Sequence, residues 1–261
     1  MADGYVDVPG ARLWYERAGE GFPVVLVHPE FWDARIWDQQ FERFSQFHDT
    51  IRYDLRGYGR SDPPMGPYSE LGDLWALLHA LKVDRCALVG CGNGARLAID
   101  AALARPETVE AIVPVAPVLS GYSWQDPGLQ ELVREVDSAV REGDLRRAMD
   151  IELAVWAPLS AADPATPARE IAMDNTSALL LDDVLLEEPP PALPHLREVR
   201  AATLVVVGDE DLREIHAIAD LIAECIPGAQ KRVVAEADLL VNVRKPEKFN
   251  RLVLDFLSFR F

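Results

Sequence analysis

Short runs of β-branched residues alternate with helical patterns along most of the chain, and this alternation limits the possible folds more than any single residue does. The run Val24-Val25-Leu26-Val27 is apolar at every position, as a strand must be when helices cover both faces of its sheet. Further strands are predicted at Tyr5 to Val8, Leu13 to Glu16, Thr50 to Tyr53, Cys86 to Val89, Ala111 to Val115, Thr203 to Val207 and Arg232 to Ala235. The first two read as an antiparallel edge pair turning at Pro9-Gly10. Helical spacing appears at Leu71 to Leu81, Ala95 to Ala104, Ile215 to Cys225 and Pro246 to Phe259. Strands alternating with helices imply an α/β fold, with a mostly parallel eight-stranded sheet flanked by helices.

The segment from Gly121 to Leu196 departs from that rhythm. It is helical where it is periodic, at Leu129 to Arg141 and Leu145 to Trp156, and prolines punctuate it at 158, 164, 167, 189 to 191 and 194. The expected division is a core of residues 1–120 and 197–261, with a helical cap, or lid, of residues 121–196 inserted after the sixth strand. Ligands of such sheets bind at the carboxyl ends of the strands, where a cap would lie; a separate small helical domain is the alternative.

Charge and cysteine usage narrow the function class. A net charge of −17 repels phosphate backbones, so no nucleic-acid partner is expected. No apolar run is long enough for a membrane span, and Met1-Ala2-Asp3-Gly4 lacks the basic and apolar stretches of a secretory leader. Cys86, Cys91 and Cys225 are sparse and unpaired in spacing, which argues against a disulfide framework or a metal site and for a reducing, cytoplasmic setting. No cofactor is expected. Oligomeric state is not legible; a homodimer is one option.

Four segments in order match one family. They read V-V-L-V-H-P-E-F-W-D-A-R-I-W from Val24, R-Y-D-L-R-G-Y-G-R-S-D from Arg52, L-V-G-C-G-N-G-A-R-L from Leu88, and L-V-V-V-G-D-E-D from Leu204, followed by K-P-E-K-F-N-R-L-V-L-D-F-L. Together they resemble the capped α/β-hydrolases, over essentially the whole core. The resemblance implies the α/β-hydrolase fold and a strand-to-helix turn G-x-S-x-G that carries a serine nucleophile. The stretch here is Gly90-Cys91-Gly92-Asn93-Gly94, which puts Gly92 at the nucleophile position. Asp211 matches the acid. Aligning on Asn242 and Pro246 puts Leu239 at the histidine position, or Asp238 if the loop slips by one residue. His28, His48, His79, His195 and His216 match no catalytic position, and the family's first loop, here His28-Pro29-Glu30, carries Pro29 in place of its usual glycine.

A serine hydrolase needs an oxygen nucleophile and a base to take its proton. Neither is supplied at these positions. What remains for chemistry is Glu30, a carboxylate expected to project into an apolar cleft and there to be tuned by desolvation or paired with Arg35, together with the Asn93 N–H as half of an oxyanion site. Asp33 is expected to cap the short helix carrying Arg35 and Trp37. His28, Cys91, Tyr122, Trp124, Trp156 and Asn175 are the candidate substrate contacts, suiting a bulky hydrophobic small molecule. Three readings stay open. The first is a non-hydrolytic enzyme performing addition, elimination or C–C bond chemistry, for instance on a natural-product intermediate in biosynthesis. The others are an inactive homologue that binds a small molecule or partner, and a hydrolase with an unusual nucleophile.

Overall fold

A computed structural model describes residues 1–162, 166–181 and 183–258; Pro164 and the Phe259 end of the last predicted helix lie outside them. Among the described residues eight strands form one sheet: β1 (Ala2–Val8), β2 (Ala11–Ala18), β3 (Pro23–Val27), β4 (Asp49–Tyr53), β5 (Cys86–Cys91), β6 (Val109–Val115), β7 (Ala202–Gly208) and β8 (Gln230–Val234). Their order is β1-β2-β4-β3-β5-β6-β7-β8. β1 and β2 form the expected antiparallel pair, β2 joins β4 antiparallel, and every later pairing is parallel. This is the α/β-hydrolase fold. From β3 the chain continues to β4 on one side, and from β5 it continues to β6 on the other. The crevice beyond the carboxyl ends of β3 and β5 is therefore the switch point at which such sheets hold ligands.

The helices are α1 (Asp38–Phe44), α2 (Glu70–Ala80), α3 (Asn93–Ala104), α4 (Pro127–Arg141), α5 (Leu145–Trp156), α6 (Pro158–Ala162), α7 (Pro167–Asp174), α8 (Arg213–Cys225), α9 (Val241–Arg244) and α10 (Pro246–Ser258). Several helix starts carry a capping side chain. Ser69 accepts the Gly72 N–H ahead of α2, Asp126 accepts the Gly128 N–H with Pro127 opening α4, and Asp144 accepts the Arg147 N–H ahead of α5. Asp33 caps a short 3-10 turn over Ala34–Trp37 through the Arg35 N–H, as predicted. β5 runs two residues beyond the predicted Val89, and α3 starts two before the predicted Ala95, so a single residue, Gly92, makes the turn between them. The four-residue helix α9 has too few positions to show a period, and the sequence reading does not find it.

β3 and β5 are buried at nearly every residue, which explains why they read as unbroken apolar runs. Between β6 and β7 the chain makes a helical insertion, α4 to α7 with 3-10 turns after them. Part of the insertion has its own small core, Leu132 and Val136 of α4 against Ala148 of α5. Among the described residues no helix is long and apolar enough to cross a membrane.

The loop after β4 is fixed by a buried ion pair. Arg56 donates through Nε and Nη2 to both oxygens of Asp73 in α2, at 2.8 and 2.6 Å, and its Nη2 also reaches the Pro9 carbonyl at 3.0 Å. The side chains are only 3% and 6% exposed. Removing one partner strands a buried charge, so Asp73→Ala is expected to cost about 3–5 kcal/mol in urea unfolding.

Candidate active site

Three backbones meet at the end of β5. A Cβ on Gly90 would lie 2.1 Å from the Gly94 oxygen, and one on Gly94 would lie 2.4 Å from the Val27 oxygen of β3. Neither position admits a side chain. Gly92, between them, sits at φ 53° and ψ −115°, a region that strains other residues. Space there is less restricted: a Cβ would lie 3.2 Å from Pro29 Cβ and 3.8 Å from Leu239 Cδ1. The two positions that the sequence reading matched to nucleophile and histidine thus face each other, with apolar groups of Pro29 and Leu239 where a nucleophile would need a base. Asn93 opens α3, so its N–H points out of the first turn, where no intrahelical acceptor exists. Its side chain is engaged elsewhere, accepting from Arg96 Nε at 2.7 Å and donating to Glu70 at 3.4 Å.

A cavity of about 510 Å³ opens above Gly92. Gly92, Asn93, Leu239 and Pro29 lie along it on the core side, with Trp124, Trp156, Leu129 and Glu152 from the insertion. Tyr122, Trp124 and Trp156 form a chain of edge-to-face rings with successive centroids 5.7 Å apart. Glu152 accepts the Trp156 Nε1–H at 2.9 Å. Burial pushes its carboxyl up to about 7, more than the indole hydrogen bond pulls it down.

The predicted site residues divide. Glu30, Gly92, Asn93, Trp124, Trp156 and Leu239 line the cavity. Glu30 itself is exposed, the alternative that the sequence left open, whereas burial acts on Glu152. Arg35, offered as a partner for Glu30, pairs with Asp33 at 2.7 Å and with Asp174 at 2.9 Å.

His28 is not a substrate contact. It is fully buried; its Nε2 accepts the Leu55 N–H at 2.8 Å, so Nδ1 carries the hydrogen and donates to the Pro29 carbonyl, also at 2.8 Å. Burial holds it neutral by lowering its pKa. Cys91, the last residue of β5, is buried outside the cavity lining, and its thiol donates to the Leu239 carbonyl at 3.3 Å. Asn175 is consumed by structure: its amide donates to Asp33 and to the Ile171 carbonyl, and its oxygen accepts the Gly59 N–H, each at 2.8 Å. Tyr122 backs Trp124 without reaching the cavity lining.

Asp211 is also outside that lining. Its Oδ2 accepts the Gly208 N–H at 2.7 Å, and burial, reinforced by Asp238 and Asp209, raises its carboxyl to about 7. Asp238 is fully employed: it pairs with Arg244 at 3.3 Å and accepts the Leu159 N–H of α6 at 3.1 Å, while Arg244 also holds Ser160. Among the described residues, no group of three or more His, Cys, Asp or Glu side chains is placed to hold a metal ion.

Glu152 is the residue that sequence reasoning missed. A signal existed: Ala148, Ile151, Glu152 and Val155 follow one helical stripe, and a carboxylate on an otherwise apolar stripe is out of place unless it meets a partner or a cavity.

The profile of the alpha/beta hydrolase family matches residues 24–252. The chain belongs to the α/β-hydrolase family. Among its relatives in that family, the 2-hydroxy-6-oxononadienedioate/2-hydroxy-6-oxononatrienedioate hydrolase of Paraburkholderia xenovorans is 28% identical over 268 residues, covering 95% of this chain and 91% of that one. The 2-hydroxymuconate semialdehyde hydrolase of Pseudomonas putida is 28% identical over 272 residues, covering 95% and 92%. Among solved α/β-hydrolase structures, the enol-lactonase from Burkholderia xenovorans LB400 superposes with a TM-score of 0.83 at 23% identity, over 98% of this chain and all of that one.

Two outcomes follow from the geometry. Gly92→Ser is expected to fold with a loss of about 1–3 kcal/mol, from backbone strain and the Pro29 contact. It should release no burst of nitrophenol from nitrophenyl acetate, because Leu239 supplies no base; a burst would show that another group activates the hydroxyl. The second concerns pH. Glu152 and Asp211 hold their protons more tightly when folded, at about 7 against ordinary values of 4.5 and 3.8. Their contribution to stability is complete below those ordinary values and is lost as pH rises through about 7. The melting temperature should fall over that window, and Glu152→Gln with Asp211→Asn should flatten the fall.

Proposed function

We propose that this α/β-hydrolase-fold chain is an enzyme that works by acid–base catalysis on a hydrophobic small molecule, without a covalent serine intermediate. The reading rests on Glu152: a carboxyl held near the pH of its surroundings, hydrogen-bonded to Trp156 and set on the wall of a cavity at the sheet's switch point. A group with a pKa close to the working pH both takes and returns protons readily. In this reading the insertion, residues 121–196, is the cap that supplies it, and Gly92 and Leu239 mark the lost nucleophile and histidine positions. The Asn93 N–H polarises a substrate carbonyl from the floor, and proton transfer proceeds from the roof. Addition, elimination and C–C bond reactions next to a carbonyl need those two elements and a shaped cavity.

The substrate differs from that of the dienedioate hydrolase. A dianion would face Glu30, Asp126 and Glu152, and among the described residues no Lys, Arg or His lines the cavity to pair with it. A second reading keeps hydrolysis, the reaction in the relatives' names, with a water activated by Glu152 in place of serine. It predicts steady turnover of activated esters with no burst.

Nitrobenzisoxazole, whose ring opens on removal of a carbon-bound proton, tests the first reading directly. Turnover should depend on a group titrating near pH 7, as Glu152 does. Glu152→Gln should lower it by at least about a hundredfold. Equal turnover by the variant would remove Glu152 from the chemistry.

A further inference from the structure

Among the described residues, the ionisable lining of the cavity is acidic only: Glu30 and Asp126, joined by Glu152 once the pH is above about 7, with no Lys, Arg or His. The rest of the wall is largely aromatic and aliphatic, with the indoles of Trp32, Trp124 and Trp156 on it. We infer that the ligand of this cavity is an apolar cation, a tertiary or quaternary ammonium carrying alkyl or aryl groups.

Three features converge on that class. Indole faces attract a cation within about 6 Å of the ring centre, and the half-buried indoles of Trp124 and Trp156 line this cavity, with Trp32 buried behind it. The Trp124 and Trp156 rings meet edge to face, an arrangement that fixes their orientation. The three acidic residues come from separate elements, the β3 loop, the N-cap position of α4 and the middle of α5, and one oxygen of Asp126 also accepts the Gly128 N–H. Leu129, Leu132 and Val133 add apolar wall, with Gln130 and Asn93 as its neutral polar members. That wall would strip water from a primary ammonium at high cost, whereas an alkylated ammonium is poorly hydrated and loses little. A net charge of −17 on the whole chain favours the approach of cations and opposes that of anions. The inference rests on the proposed use of this cavity as the substrate site.

Benzyltrimethylammonium and neopentylbenzene have the same shape and differ by one charge; phenylpropionate supplies an anion of similar size. Each is titrated into the whole chain by isothermal calorimetry, with tryptophan fluorescence as a second readout. The cation is expected to bind about tenfold or more tightly than its neutral twin, and the anion to show no saturation. At pH 8, where Glu152 is ionised, Glu152→Gln should shrink the cation's advantage at least about threefold while leaving the neutral twin's affinity in place. Equal binding of the two twins, preference for the anion, or no saturable binding of the cation at millimolar concentration overturns the assignment. Equal binding of the twins leaves the acid–base reading standing, because the nitrobenzisoxazole assay uses a neutral probe. Loss of that reading with the cation preference intact leaves a cation-binding cavity.

Discussion

The end of β5 is where the fold and the cavity become one problem. The backbones of β3, β5 and α3 approach there so closely that Gly90 and Gly94 have no room for a Cβ. That approach sets the position of Gly92, aims the first N–H of α3, and brings Pro29 over the turn. A single added methyl at either outer glycine would push α3 away from the sheet and dissolve the cavity floor. The middle residue is under a different constraint, one of dihedral angle more than of space. The outer glycines are therefore demanded by packing, whereas the centre could change identity while the turn kept its shape.

Most of this architecture was legible in the residues. Strands buried on both faces announce themselves as continuous apolar runs, and the Pro9-Gly10 turn, the Asp33 cap and the paired glycines each act locally, through the nearest few residues. The facing of Gly92 and Leu239 was legible too, because each sits at a fixed distance from a recognisable landmark. What the sequence hid depended on distant packing. His28 and Cys91 looked like ligands for a substrate because they sit in or beside the motifs, and Asn175 because it is a polar residue in a helix of the insertion. Their partners, at Leu55, Leu239 and Asp33, are supplied by other segments of the chain. Glu30 is exposed and Glu152 is the more buried of the two for the same reason: exposure is decided by where α5 lies, and nothing near residue 30 encodes that.

The cavity has an asymmetry that follows. Its floor comes from the rigid sheet and offers backbone N–H and apolar carbon. Its titrating carboxyl comes from the roof, on a helix whose own small core with α4 is separate from the main one. Position and protonation of that carboxyl are thus coupled to how firmly the insertion is seated: a looser roof would admit water and return Glu152 toward an ordinary acid.

The seating itself has an unusual anchor. Asp238 and Arg244 flank Leu239 on the chain, and they hold Leu159 and Ser160 at the start of α6. The loop beside the floor and the insertion above it are therefore one module stitched through residues outside the cavity lining. Recombination between relatives that exchanged the insertion alone would sever those stitches. Inheritance, natural or engineered, has to carry the two segments together, although about eighty residues of sequence lie between them.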